Sequence, residues 1–512
     1  MNASDERSVS FWSSTVELEQ PESLRQDDAA DVVVIGAGIA GLSVAYELAL
    51  EGVSVIVVDR GRIAGGMTAR TTAHLASDSD DSYDELIRTR GLDDAEEFFA
   101  SHAAAISRIE FIQQTEGIAC DFARVNGYLF APPGSDAGIL EREAEAAHRV
   151  GLATTWIERA PIEGVNTGRA LCFPGQARFH PLKYAAGLVR GIRARNGRIF
   201  GNTPVTKIEE DGTRLAVELE GGAQIGAGAV VVATNSPIND RLAVHPKQAP
   251  YRTYVVAGRV PHGSVTDALF WDTSDPYHYV RLQPDVDGDV LIVGGEDHKS
   301  GLAEDMPERL ARLESWARDL FPSLGDISWR WSGQVMEPVD GAGFIGRNPG
   351  SRNVYVVTGD SGQGMTHGAM AGMLLRDLIL HRDTAWAHLY DPGRAVARAA
   401  MEVVRENVDV AVNFAQYVTP GEVDSVDDLR RGQGAVVREG LGKLAAFRDD
   451  GGRLHVRSAV CTHMGCIVHW NPFERCWDCP CHGSQFAVDG SVLNGPATAP
   501  LDPAEVSAPA AR

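Results

Sequence analysis

Two stretches near the end of the chain, CTHMGC (Cys461–Cys466) and CPCHGS (Cys479–Ser484), place four of its seven cysteines and two histidines on short loops. Thiolates and imidazoles gathered this way are transition-metal ligands. The set Cys461, His463, Cys479 and His482 offers one sulfur and one nitrogen from each loop. Zinc accepts such a set in a tetrahedral shell. A two-iron, two-sulfide cluster accepts it differently, with both thiolates on one iron and both imidazoles on the other. The even division between loops suits the cluster, because each iron would then draw on both loops.

A second constellation lies near the start. Gly36-x-Gly38-x-x-Gly41 follows the apolar run DVVVI and opens the amphipathic stretch LSVAYELALEG, and Asp59 ends the next apolar run, VSVIVVD. Glycines there let the backbone approach a pyrophosphate, which the helix N-terminus stabilises, while Asp59 stands at the distance of a ribose-binding carboxylate. This points to a dinucleotide without choosing between NAD and FAD.

Stepping outward, the same runs spell strand, turn, helix and strand of a parallel sheet. Helical and β-rich stretches alternate from about residue 78 to 325, and a further strand-turn-helix occurs at NVYVVTGDSGQGMTHGAMAGMLLRDLIL. Residues 385–417 carry Ala, Val, Arg and Glu at helical spacing, and short strands and turns follow. The expected organisation is an N-terminal arm (1–28) whose Phe11-Trp12 packs onto the body, a body (29–384), a connecting helix (385–417) and a small all-β domain (418–512).

With 512 residues, 44% of them hydrophobic, the chain can build two or three cores. Its formal charge of −23 and lack of a basic stripe argue against nucleic acid. Solubility accounts for the charge; a docking face for a basic redox partner is the alternative. No apolar run reaches the roughly 18 residues of a membrane span, and no export signal stands at the start, so a cytoplasmic location is expected.

The two cysteine–histidine loops closely resemble the ligand loops of Rieske proteins, and NGPA (Asn494–Ala497) resembles their proline loop. The resemblance implies a Rieske 2Fe-2S cluster on Cys461, His463, Cys479 and His482, with Cys466 and Cys481 joined as a disulfide beside it. Cys120, Cys172 and Cys476 are expected to be packing residues. The glycine loop, GGMTARTTAHL, VVVATNSPI, VLIVGGEDH and VYVVTGDSGQGMTHGAM resemble, in that order, the D-amino-acid-oxidase-like family of FAD-dependent oxidoreductases. That likeness implies an α/β Rossmann-type FAD-binding domain interleaved with an α+β substrate lobe. It implies FAD contacts at Gly36, Gly38, Ile39, Ala40, Gly41, Asp59, Arg60, Met67, Thr68, Arg70, Thr71, Thr72, His74 and Val205. Gly362, Gly364, Met365 and Thr366 would face the flavin ring. In the dimethylglycine-dehydrogenase branch a similarly placed histidine is bonded covalently to flavin, which makes His74 a candidate for that bond, with a noncovalent neighbour as the alternative.

The family oxidises carbon–nitrogen bonds. Aligning WSGQVMEPVDGAGFIG on its substrate strand puts Val335 where amino-acid-oxidising members carry a carboxylate-binding arginine. Glu337 follows on the same face. This favours a small amine or N-substituted amino compound over a plain D-amino acid. YHYVRL offers another lining strand, in which Arg281 could still hold an acid. Glu337, Arg281, Tyr279 and His74 are therefore the candidate catalytic residues. Rieske potentials lie at about −150 to +300 mV, so the cluster is expected to act as an electron outlet from the flavin to a soluble carrier. An inlet from an external reductase and a non-catalytic redox sensor are the alternatives. A Rieske oxygenase is not expected, because its mononuclear iron needs two histidines in a large domain after the Rieske module, and no histidine follows His482 here.

Ser484 matches a residue that hydrogen-bonds a cluster sulfur in respiratory Rieske proteins, whereas Phe486 stands where they carry a second donor, tyrosine. Fewer hydrogen bonds to sulfur stabilise the reduced cluster less. A redox titration should place the potential below the respiratory values, and Phe486→Tyr should raise it; an unchanged or lower value places Phe486 elsewhere.

Overall fold

The computed structural model describes residues 5–506 except 133, 137, 213, 240–243, 397–409, 411 and 441. Its first sheet runs in the order 344–347, 354–358, 224–232, 28–35, 55–58 and 198–200, with the hairpin 205–219 attached at 224–232. The strands Asp28–Ile35, Val55–Val58, Gln224–Val232 and Val354–Thr358 pair in parallel. Val32–Ile35 and Val55–Val58 are buried on both faces, which is why they read as continuous apolar runs rather than alternating ones. Helices Ile39–Leu50 and Gly364–Ile379 pack against each other, each starting where a strand of this sheet ends. Two helix N-termini, neither bonded by its own N-cap side chain, thereby lie at the carboxyl edge of the sheet, with Thr68 Oγ1 accepting from Ile39 N at 2.9 Å.

The second sheet interleaves with the first in sequence. Its order is 327–338, 248–260, 289–299, 278–283, 269–272, 123–130, 170–178 and 74–75. It forms the roof over the cavity described below.

The C-terminal part is all β. Strands Gly434–Glu439, Gly442–Arg448 and Leu454–Ser458 form one sheet. Strands His469–Asn471, Cys476–Asp478, Gln485–Phe486 and Val492–Asn494 form another, which carries the two cysteine–histidine loops. The expected connecting helix is not a helix over 385–396, which is turns and extended chain, and the stretch 397–409 lies outside the described residues.

The N-terminal arm packs between these parts. Trp12 is fully buried and donates from Nε1 to Thr71 O at 2.6 Å, and Phe11 meets Trp329 edge-on. Ahead of them Glu6 enters a buried ionic network. Arg70, from the FAD side, pairs with Glu6 at 3.0 Å and Glu474 at 3.1 Å; Arg252, from the roof, pairs with Glu6 at 3.4 Å and Asp478 at 3.2 Å. Three carboxylates thus face two guanidiniums. Burial raises the Glu6 pKa to about 7, whereas the arginines hold Glu474 and Asp478 below the usual carboxylate range. A proton on Glu6 balances the charge.

Removing one partner of such a network leaves an uncompensated buried charge, so Arg252→Met should cost about 3–5 kcal/mol in denaturant titration. Glu6 has the opposite role. Its folded-state pKa is raised, so stability falls as the pH climbs from 4.5 through about 7. Glu6→Gln should flatten that part of the stability-versus-pH curve; an unaltered curve would mean that Glu6 stays ionised.

Candidate functional site

A cavity of about 640 Å³ opens where the two sheets meet. At one end lies the glycine loop. Gly36 has φ +103°, and a Cβ there would sit 2.3 Å from Ala233 O; a Cβ on Gly41 would sit 1.9 Å from Gly36 O. No side chain fits at either place, which leaves the N-terminus of helix Ile39–Leu50 open to a diphosphate. The helix has no side-chain cap of its own at Gly38. Asp59 lines the cavity and accepts from Ala37 N at 2.7 Å and Gly61 N at 2.8 Å, fixing the loop as well as facing the ribose position.

The other end is acidic and aromatic. Asp80 lies against Gly362, where a Cβ would come within 2.8 Å of its carboxylate, so glycine alone permits the approach. Tyr277 donates to Asp80 at 3.0 Å, and Ser361 donates to Glu337 at 2.8 Å. Asp78, Asp297 and Asp360 also line this region. Burial pushes Asp78 and Asp297 up to about 7 and Asp360 to about 6. Burial raises Asp80 and Glu337 well above the carboxylate range, reinforced at Asp80 by repulsion from Asp81 and Asp297 and at Glu337 by repulsion from Asp80 and Asp81. Tyr277 and Tyr279 pack together with centroids 5.4 Å apart, and His74 meets Tyr279 edge-on at 5.7 Å.

The cysteine–histidine loops face each other across a buried gap. Cys461 and Cys479 are each 2% exposed, and the His463 and His482 rings lie 5.0 Å apart at 87°. Cys466 and Cys481 form a disulfide with an S–S distance of 2.06 Å, clamping the loops. Ser484 Oγ accepts from Ala497 N at 3.0 Å, tying the proline loop to the second ligand loop. Cys476 stands at CxxC spacing from Cys479, but its thiol turns to Asp478 Oδ1 at 3.5 Å. Two thiols and two imidazoles on clamped loops fit the split donor set of a 2Fe-2S cluster.

Comparison with known proteins agrees. Residues 31–378 match the family described as FAD dependent oxidoreductase, and residues 419–505 match the Rieske [2Fe-2S] domain. The chain belongs to the FAD-dependent oxidoreductase family and ends in a Rieske domain. It is 31% identical to the putative Rieske 2Fe-2S iron-sulfur protein YhfW of Bacillus subtilis, covering 96% of both chains. It is 28% identical to the gamma-glutamylputrescine oxidoreductase of Escherichia coli, over 73% of this chain and 89% of that one. The glycine oxidase structure from Geobacillus kaustophilus superposes with TM-score 0.62 at 20% identity, covering 72% of this chain and 99% of that one, and shows the same fold. The oxidoreductase accordingly uses FAD and a Rieske 2Fe-2S cluster.

Most of the FAD contacts expected from sequence border the cavity: Gly36, Gly38, Ile39, Ala40, Asp59, Arg60, Met67, Thr68, Thr71, Thr72, His74, Val205, Gly362, Gly364 and Met365. Four residues are placed differently from the simplest form of that expectation. Gly41 serves close helix–strand packing rather than the ligand surface. Thr366 turns away from the cavity toward helix Leu92–Thr115, with His102 Nδ1 3.0 Å from its hydroxyl. Arg70 reaches the cavity wall, but its guanidinium is spent on Glu6, Glu474 and the carbonyls of Ser8 and Ser332. Arg281 is not a substrate clamp. It is fully buried beneath the strand, donating to Ala73 O at 2.8 Å, Phe179 O at 2.9 Å and Gln283, with Trp12 stacked on it. On a regular strand Arg281 shares the face of Tyr277 and Tyr279, but backbone carbonyls capture it first.

The acidic residues at 78–81 were missed. The signal was present, since ASDSDD directly follows the TARTTAHL motif in sequence.

Among the described residues at His74, Nε2 lies 3.2 Å from Val280 O and Nδ1 lies 3.0 Å from Thr72 Oγ1. Burial, reinforced by Arg281, drives its pKa down to about 3, so the ring is neutral. With both nitrogens engaged, flavin should be held noncovalently. After acid precipitation the yellow colour should stay wholly in the supernatant; colour in the pellet would show a covalent bond.

Proposed function

We propose that this oxidoreductase oxidises a carbon–nitrogen bond of a small amine or N-substituted amino compound and sends the electrons through its cluster to an external one-electron carrier. When bound, FAD supplies a hydride acceptor and the cluster a single-electron relay. The carrying observation is the polarity of the cavity end beside Gly362, where Asp80, Asp297 and Asp360 are exposed to the site and Glu337 stands behind them. The arginines on the cavity wall are Arg60, Arg70 and Arg142. Arg60 donates to Ala497 O, Arg70 belongs to the buried network, and Arg142 pairs with Asp136. Among the described residues, each arginine of the wall is thus already engaged, which weighs against a bidentate clamp for a substrate carboxylate of the kind amino-acid recognition uses.

An ammonium entering this end meets carboxylates that burial has kept partly protonated; its charge draws out their protons on binding, and one carboxylate then takes a proton from the nitrogen so that the neutral amine can give up hydride. Tyr277 and Tyr279 offer aromatic faces to the same cation. Asp80, fixed by Tyr277, orients the amine so that the carbon beside nitrogen faces the Gly362–Gly364 turn. His74 is neutral and leaves the local charge negative. The name of the Escherichia coli relative, which denotes an amine-bearing substrate, supports the same class.

Anaerobic mixing with a panel of amines and amino acids, read by flavin bleaching, tests the proposal. Amines should bleach the flavin saturably, and bleaching by simple D-amino acids alone would overturn it. Asp80→Asn, which removes a charge-assisted contact, should raise the amine concentration needed for half-saturation by about 10- to 100-fold. Amine affinity should also tighten as the pH rises through about 7, where Asp78 and Asp297 lose their protons.

A further inference from the structure

The cluster-binding domain forms part of the wall of the FAD cavity. Leu493 and, from the proline loop itself, Asn494 and Gly495 line it alongside residues of both sheets. The imidazole side of the cluster site also faces the FAD-binding body. His245, from that body, packs edge-on against His463 and His482, each with centroids 5.0 Å apart, and Ser236 Oγ donates to His482 O at 3.2 Å.

Gln334 stands at the seam. It is 3% exposed and lines the cavity. Its Oε1 accepts from Asn235 Nδ2 at 2.9 Å and from Asn494 Nδ2 at 2.7 Å, and its Nε2 donates to Gly483 O at 2.9 Å. Asn235 belongs to the loop leaving the FAD sheet, Asn494 to the start of the proline loop, and Gly483 directly follows the ligand His482. One amide therefore ties a flavin-side loop to the proline loop and to the second ligand loop of the cluster. The chain makes room for it: Gly483 has φ +84°, and a Cβ there would lie 2.8 Å from Gln334 Nε2. An apolar side chain could fill this volume, but it could not fix three partners in direction as well as distance.

We propose that Gln334 is a positioning residue that holds the cluster loops in register with the FAD cavity, so that electrons cross between the two sites within one chain. The inference rests on the reading that flavin and cluster exchange electrons. Two electrons leave the substrate bond together. Two single crossings, each ending on an external one-electron acceptor, balance a turnover, with the protons released to water. Tunnelling weakens steeply with the gap, so a seam held by directional bonds controls the rate without touching either substrate or metal.

The experiment uses full-length holoprotein and no amine. The flavin is reduced by a light flash with an external photoreductant, and the cluster is followed by its absorbance and by freeze-quench electron paramagnetic resonance. Wild type should show flavin-to-cluster transfer. In Gln334→Leu, with both cofactors at full occupancy and an unchanged cluster spectrum, that transfer should slow by on the order of tenfold to a hundredfold. Gln334→Glu keeps the acceptor for Asn235 and Asn494 but loses the bond to Gly483 O, and should fall between the two. If Gln334→Leu does not retain both cofactors, Asn494→Ala decides the matter by removing one tie alone, with slowing expected. Unchanged transfer in the cofactor-replete variant overturns the proposal, as does a wild type whose cluster is never reduced from the flavin. Because no amine is used, a wrong substrate class would leave the outcome unaffected.

Discussion

The burial of Glu6, Arg70, Arg252, Glu474 and Asp478 in one network is the interaction on which the arrangement of this molecule depends. The network recruits the N-terminal arm, the FAD side, the roof sheet and the cluster domain to one place. Buried ion pairs add little net stability, because desolvation offsets much of their attraction, but leaving one charge unpaired is costly. Their effect is therefore on specificity: the cluster domain docks where all five groups find an opposite charge. Gln485, which donates to Glu6 at 2.8 Å and Asp478 at 2.9 Å, extends the same constraint into the strand after the second ligand loop.

Docking in that orientation has two consequences for chemistry. It places the imidazole side of the cluster site against the FAD-binding body, with His245 packed on both ligand rings. It also makes the loop after Val492–Asn494 part of the cavity wall. The FAD site and the 2Fe-2S site then share a boundary. The joining of two domains in one chain has a physical rationale here, since no diffusive encounter is needed between them.

The cavity itself is asymmetric. Its glycine-loop end presents open backbone N–H groups suited to an anion, whereas its Gly362 end gathers carboxylates whose ordinary ionisation burial opposes. Carboxylates held this way attract a cation strongly, because an ammonium relieves both their repulsion and their protonation. Under the proposed amine oxidation, the same polarity works against a substrate carboxylate.

The sequence by itself determined the elements whose function follows from local backbone chemistry. The glycine loop, the strands around it and the cysteine–histidine loops depend on short spacings, where residue type and neighbours suffice, while the disulfide partners and the kind of cluster followed from the resemblance to Rieske proteins. Which side chains face the cavity was decided by tertiary structure alone. Arg281 sits at a lining position by strand alternation, yet the carbonyls of Ala73 and Phe179 lie close enough to hold it in the interior. Thr366 lies one residue after Met365, which does line the cavity, and helical rotation turns it to His102. Arg70 sits in the expected motif, but a glutamate sixty-four positions earlier and another near the second ligand loop claim its charge. These outcomes depend on groups distant in sequence competing for the same donors, and no local pattern encodes that competition.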